Sequence, residues 1–342
     1  MPRARKRRPG PSAEITVRAV RDVPVFYDPV FLEHDTGPYH PETAQRLEAV
    51  VRALRREGRR FESPPDPPRT LAALERVHEP GYVARVRAAC DAAPAGAEGA
   101  FTLFDCPDNA LSARTFAAAF RATGLVLAAV DAVVEKRAPA VFVAARPPGH
   151  HALAARAMGF CYFNTIAVAA RDLVEHWGAG RVLVADFDVH HGNGTQEIFW
   201  EDGRVAYLSV HRYPFYPGTG AADEEGAGRG RGATVNVPQR AGAGDGAYAG
   251  GFSAALDALA ARFKPEFVLV SAGFDAHEGD PLGGMRVTTE GFCWMTRAVE
   301  DVAGAFAGGR IVSLLEGGYD ADALGRCAVE HVRVLDRTGG LP

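Results

Sequence analysis

The residues best suited to chemistry in this chain are acids and histidines gathered at the ends of apolar runs. The run RVLVADFDV (181–189) carries Asp186 and Asp188 and leads into His190. Side chains two apart on an extended segment share a face, so these three are expected to project together as the strand ends. A second run, EFVLVSAGF (266–274), is followed at once by Asp275. Asp188, His190 and Asp275 would offer a cation two carboxylates and one imidazole and leave a coordination position open, as a catalytic metal requires and a structural one does not. Zinc suits that set, and ferrous iron or manganese suits it too. Capping and turn roles are the ordinary alternative for an isolated Asp-x-His. Acids ending two separate apolar runs weigh against that alternative.

Two further runs end in reactive side chains. AVFVAA (140–145) leads into Arg146-Pro147-Pro148-Gly149-His150-His151. The prolines fix their own backbone dihedrals and stiffen the loop that carries the histidine pair. Imidazole titrates near neutrality, so one member of the pair can take a proton from water and return it to a leaving amine. A hydrogen-bonded structural pair is the alternative. RIVSLLEGG (310–318) leads into Tyr319, whose hydroxyl can donate to a developing oxyanion, although a tyrosine in a turn more often packs. Together these features describe a hydrolytic site in which a cation polarises a carbonyl and activates water. The chain has no GxSxG nucleophile elbow.

Such side chains converge only if their strands lie side by side. Apolar runs at 23–27, 140–145, 181–189, 205–210, 266–274 and 310–318 alternate with helical patterns at 112–136, 164–177, 247–263 and 290–307. That alternation predicts an α/β fold with a mainly parallel sheet covered by helices on both faces, with ligands bound beyond the carboxyl ends of the strands. No low-complexity linker divides residues 23–336, so one domain is expected there. The basic segment 1–22 is expected to be disordered, and 337–342 forms a short tail.

Composition narrows the function classes. The 342 residues are 47% hydrophobic and 23% charged, which is ordinary for a globular enzyme. A net charge of -4 argues against general nucleic-acid affinity. No apolar run approaches the roughly 18–20 residues of a membrane span, and the N-terminus lacks the apolar stretch of a secretory signal, so a cytoplasmic location is expected. The cysteines, Cys90, Cys106, Cys161, Cys293 and Cys327, form no CxxC pair and read as reduced, buried thiols. The glycine-rich stretch 217–232 lacks the order of a phosphate loop and reads as a mobile surface loop beside the site.

Seven segments resemble the histone deacetylase family, in its order: 40–50, 146–152, 159–164 (GFCYFN), 186–196 (DFDVHHGNGTQ), 208–220, 271–284 (SAGFDAHEGDPLGG) and 314–320 (LLEGGYD). The resemblance is to class II-like members and bacterial acetylpolyamine amidohydrolase-type deacetylases. It implies a three-layer α/β/α fold of the arginase/deacetylase type and makes Asp188, His190 and Asp275 the zinc ligands. It also makes His151 the general base and acid, with His150 in electrostatic support, and Tyr319 the oxyanion donor. Asp186 would orient His150 and, with Asp188, His190, Ser209 and Val210, hold a structural potassium ion. Gly159, Phe160 and Tyr216 would line a narrow acyl-lysine channel, Tyr216 standing where phenylalanine is frequent. Asn193 stands behind His151 where class I-like members carry aspartate. Leu282 replaces the glutamate of acetylpolyamine-specialised relatives, which ranks acyl-lysine above polyamines. Asp105 and Asp108 both fit the rim carboxylate that holds substrate, and Arg46 matches an arginine near an internal acetate channel.

The resemblance therefore implies an acetylated lysine or acetylated amine as substrate, with no membrane and no specific nucleic acid as partner. A homo-oligomer stays open. Acetylpolyamine or small-amide hydrolysis at the same site is one alternative. An arginase- or agmatinase-like ureohydrolase with two manganese ions is another, and an acyl-binding module without turnover is a third.

Overall fold

Apolar runs too short and too β-branched for helices pair into a sheet, and the longer alanine-rich runs between them cover it. The computed structural model describes residues 22–94 and 101–336. The tail expected over 1–22, apart from its last residue, and the tail at 337–342 lie outside the described residues. The strands are β1 (Val25–Phe26), β2 (Phe61–Glu62), β3 (Thr102–Phe104), β4 (Cys106–Leu111), β5 (Ala140–Val143), β6 (Val182–Asp186), β7 (Val205–Arg212), β8 (Thr234–Gln239), β9 (Phe267–Ala272) and β10 (Ile311–Leu315). Eight of them form one sheet in the order β2-β1-β5-β10-β9-β6-β7-β8, every pairing parallel, while β3 and β4 form a separate antiparallel hairpin.

The helices are α1 (Ala44–Arg56), α2 (Thr70–Glu75), α3 (Pro80–Ala92), α4 (Thr115–Val134), α5 (Thr165–Glu175), α6 (Asn193–Ile198), α7 (Asp245–Phe263), α8 (Thr289–Phe306) and α9 (Ala321–Leu335). They pack in two groups, α1-α9-α8-α7 and α2 to α5, which flank the sheet. This is the expected α/β arginase/deacetylase-type architecture. Strands β5, β6, β9 and β10 are buried at every residue, as a parallel sheet covered on both faces demands.

Helix α4 departs from the expectation that no segment reaches spanning length. Its 20 residues are apolar enough to cross a membrane. Here 72% of its most apolar window is buried, and it packs on α5, β5 and β10, which accounts for that composition.

Side-chain caps set several helix starts. Asn164 accepts the N–H of Ala167 at the start of α5, and Asp320 accepts that of Ala323 at the start of α9. The second cap places Tyr319 at the junction between the β10 loop and a fixed helix.

Candidate metal centre and active site

Four strands adjacent in the sheet, β5, β10, β9 and β6, send their carboxyl-terminal extensions to one place. From β6 comes Asp186, from the loop beyond it Asp188 and His190, and beyond β9 comes Asp275. The strand stops at Asp186, four residues before His190, so the expected extended run to 189 is not formed. The physical reason is local. Asp186 Oδ1 accepts the N–H of Asp188 at 3.1 Å and Asp188 Oδ1 accepts the N–H of His190 at 2.9 Å, which curls the chain out of the sheet.

Asp188, His190 and Asp275 each offer one ligand atom, and these atoms lie within 4.8 Å of one another. His190 Nδ1 is 3.1 Å from Asp188 Oδ1 and 3.0 Å from Asp275 Oδ2. Backbone N–H groups of Gly317 and Val189 donate to Asp188 Oδ2 and Asp275 Oδ1, both at 2.8 Å, which fixes both carboxylates. Gly317 is required here because a Cβ at this position would collide with both carboxylates. Burial lifts Asp275 to about 7, and Asp188 beside it adds to the rise. Burial also opposes a charged His190, yet the hydrogen bonds to Asp188 and Asp275 hold its imidazole at about 10. Two buried carboxylates this close repel unless a cation stands between them, so the donor set fits a divalent metal.

The histidine pair lies alongside, with ring centroids 4.1 Å apart. His150 Nδ1 is 3.0 Å from Asp186 Oδ2, which also accepts the hydroxyl of Tyr207 at 3.0 Å. Burial works against a charged His150, but Asp186 and Asp188 outweigh it and hold the ring at about 10. His151 behaves oppositely: burial, then the positive charge of His150 and His190, pushes it well below 6.5. Its Nδ1 is 2.8 Å from Asn193 Oδ1, which leaves Nε2 as the free basic atom, and its ring lies 5.9 Å from that of His190.

Tyr319 completes the group. The guanidinium of Arg46 sits 4.7 Å over its ring, and Phe160 meets it edge-on at 6.0 Å. Arg46 also donates to the carbonyls of Gly318 and Glu316, at 2.5 and 2.7 Å, and to Glu42 at 2.8 Å. Arg146 grips the same Glu42 at 2.9 and 2.8 Å. Burial would raise Glu42, but the two arginines hold it down at about 2.

The channel residues divide between two walls. Phe160 packs toward Tyr319 and, at 4.6 Å, toward His40. Tyr216 faces His151 at 5.3 Å and His190 at 6.1 Å. Phe160 holds a left-handed φ of 67°, a strained conformation for a large residue, and Asn109 fixes it by accepting its N–H at 2.9 Å. Gly159 packs so closely on the His151 ring that a Cβ would overlap it. Leu282 is partly buried in the loop beyond Asp275. Asp105 is occupied elsewhere, paired with Arg85 at 2.5 Å and with the N–H of Ala157 at 2.9 Å. Asp108 instead lies by Tyr216, whose phenol is raised by burial first and by Asp108 second, and the Asp108 carbonyl is 3.1 Å from His40 Nε2.

Among the residues named for potassium, Asp186 pairs with Ser209 in the β6–β7 register. The carbonyls of Asp188 and Val210 meet at the hydroxyl of Tyr248, at 3.0 and 2.9 Å, while the Ser209 hydroxyl is 2.9 Å from His211 Nδ1.

Segment 217–232 is not loose, contrary to expectation. Glu224 accepts the N–H groups of Gly220 and Ala221 and takes a 2.6 Å hydrogen bond from Gln196, which fastens the segment to α6.

Several supporting residues escaped the sequence analysis. Glu316 accepts the N–H groups of Gly149 and His150 and the hydroxyl of Ser271, clipping the histidine loop to β9 and β10. Phe215 stacks on His190 at 5.3 Å, and Asn109, Tyr248 and Asp280 act through backbone groups. Glu316, Phe215 and Asp280 lie within the family-like segments 314–320, 208–220 and 271–284, whereas nothing in the sequence marks Asn109 or Tyr248.

Deacetylase and amidohydrolase relatives place this α/β fold among the hydrolases that act on amide bonds. Residues 40–335 match the histone deacetylase domain. The chain is 38% identical to histone deacetylase 10, chloroplastic, of Oryza sativa subsp. japonica over 309 residues, covering 86% of this chain and 69% of that protein. It is 35% identical to the histone deacetylase-like amidohydrolase of Pseudomonas aeruginosa, covering 91% and 85%. A probable deacetylase of Archaeoglobus fulgidus is 36% identical, covering 87% and 81%. The crystal structure of the HDA15 HD domain superposes with a TM-score of 0.84 at 36% identity, covering 93% of this chain and 89% of that one. The chain belongs to the histone deacetylase family.

Proposed function

We propose that this deacetylase uses zinc and removes acetyl from acetyl-lysine or a related acetylated amine. The observation that carries the reading is the cluster of Asp188, His190 and Asp275 ligand atoms within 4.8 Å, with the His151 ring 5.9 Å from that of His190. When bound, the metal supplies Lewis-acid polarisation of the amide carbonyl and acidification of water. Asp188, His190 and Asp275 would hold it. Phe160 and Tyr216 orient the acyl-amine arm and exclude bulk water from it. His151 takes the proton of the attacking water at Nε2 and delivers it to the leaving amine, while Asn193 fixes its tautomer through Nδ1. His150, kept cationic by Asp186, stabilises the negative charge that develops nearby, and the Tyr319 hydroxyl donates to the tetrahedral oxygen. Potassium is proposed as a structural ion at Asp186, Asp188, His190, Ser209 and Val210.

The test combines metal analysis with a substrate panel on one sample of the full chain. One zinc per chain, hydrolysis of an acetyl-lysine peptide and inhibition by a hydroxamate are expected. A metal-loaded protein that leaves acetylated peptides, polyamines and small amides intact overturns the reading. Two manganese ions per chain would favour a ureohydrolase instead.

A further inference from the structure

One carboxylate outside the metal-ligand set fastens two parts of the site together. Asp280 lies in the loop beyond Asp275 and is 8% exposed. Its Oδ2 accepts the backbone N–H of Tyr319 at 2.6 Å. Its Oδ1 accepts the N–H groups of Leu282 and Gly283, at 2.9 and 3.1 Å. The loop that carries it is itself braced, since the Asp280 amide donates to the carbonyl of His277 at 2.9 Å and His277 Nδ1 accepts the N–H of Gly279 at 3.0 Å. The same loop reaches the aromatic ring beside His190. The Gly283 carbonyl accepts from Arg212, whose guanidinium covers Phe215, the ring stacked on His190.

The backbone around Tyr319 explains why such an anchor matters. On one side stands Gly318, with φ of 127°, a conformation only glycine adopts freely. On the other stands Asp320, fixed as the cap of α9. The direction of the Tyr319 side chain therefore depends on what holds the Gly318–Tyr319 peptide, which Arg46 meets at the carbonyl and Asp280 at the N–H.

We propose that Asp280 is a positioning residue, tying the oxyanion donor Tyr319 to the channel-side loop at Leu282 and Gly283 through its two oxygens. The inference rests on the reading of Tyr319 given above. An asparagine keeps one acceptor oxygen and replaces the other with an N–H donor, so it can serve Tyr319 or the Leu282–Gly283 pair but not both. Misplacing a reacting group by about 1 Å costs on the order of a hundredfold in rate.

The experiment places Asp280→Asn in the full, metal-loaded chain, alone and together with Tyr319→Phe, and reads hydrogen exchange over residues 317–320, metal content and steady-state kinetics. Faster exchange at the Tyr319 amide, unchanged metal content and a kcat lower by about tenfold to a hundredfold, with KM within about twofold, are expected. Little further loss is expected where Tyr319→Phe is already present, because the group being aimed is gone. An unchanged kcat, a loss confined to KM, or an equal loss in the Tyr319→Phe background overturns the proposal. Should Asp280→Asn fail to fold, Asp280→Glu, which keeps both oxygens on a longer arm, is read by the same criteria. If the wild type carries its metal and hydrolyses no amide, the reading of Tyr319 falls. The exchange measurement then decides the tie by itself, and unchanged exchange overturns it.

Discussion

Two buried charged layers lie against each other in this protein, and they are built on opposite principles. In the layer of Glu42, Arg46 and Arg146, a fully buried carboxylate is gripped by two guanidiniums, and their remaining donors reach carbonyls of Phe31, His34, Glu316 and Gly318. Its charge is settled from within the chain, and Glu42 stays ionised down to about 2. In the layer of Asp188, Asp275 and His190, two carboxylates face each other with one imidazole between them, and burial and then Asp188 lift Asp275 above the usual carboxylate range. The first layer has more positive than negative charge, and backbone carbonyls take its surplus donors, whereas the second is left short of positive charge. Burial of ionisable groups therefore does not mark function by itself; incomplete compensation does.

The largest expected effect attacks the incomplete layer. Asp188→Ala or Asp275→Ala should abolish metal binding and lower kcat/KM by about a thousandfold or more, read by metal analysis and kinetics. A variant that keeps both metal and activity would break the comparison. His151→Ala comes next and sharpens it, because metal content should hold while kcat falls by about 10²- to 10⁴-fold. Loss of metal from that variant would make His151 a ligand.

Glu42→Gln attacks the complete layer. Two buried guanidiniums lose their counter-ion, so stability should fall by about 3–5 kcal/mol in urea unfolding, while the protein that stays folded keeps its metal. If metal content dropped in proportion instead, the two layers would be one unit.

A further effect is in pH. Burial and then Arg146 push His34 down to about 3, against an ordinary value of 6.5. Its neutral form is therefore the folded one. The stability it contributes is fully present above about 6.5 and is lost as pH falls through 3. Glu42 adds a second loss below 4.5 as pH falls toward 2. Unfolding free energy should decline on acidification from about 6.5, and His34→Gln should flatten the upper part of that decline.

Local signals made the incomplete layer readable in the sequence. Apolar runs that stop in Asp, His or Tyr mark strand ends, and adjacency in the sheet brings those ends together. The acids at the two strand ends do converge, but Asp188 and His190 come together through turns and not through strand alternation. The complete layer was opaque because Glu42 and Arg146 are 104 residues apart, and only the folded chain makes them partners. Arg46 was noticed through family likeness alone. Edge strand β8 escaped because Pro238 and half-buried alternation disguise it, and two-residue β2 is too short to leave a pattern.

The fastening of segment 217–232 by Glu224 carries a consequence for selectivity. Tyr216 immediately precedes that segment, so on the proposed reading the wall it gives to the substrate passage adjoins an anchored stretch of chain. Entry then carries little ordering entropy, and a guest too broad for the passage gains nothing from loop rearrangement. Discrimination among acyl groups should accordingly follow their girth more than their length.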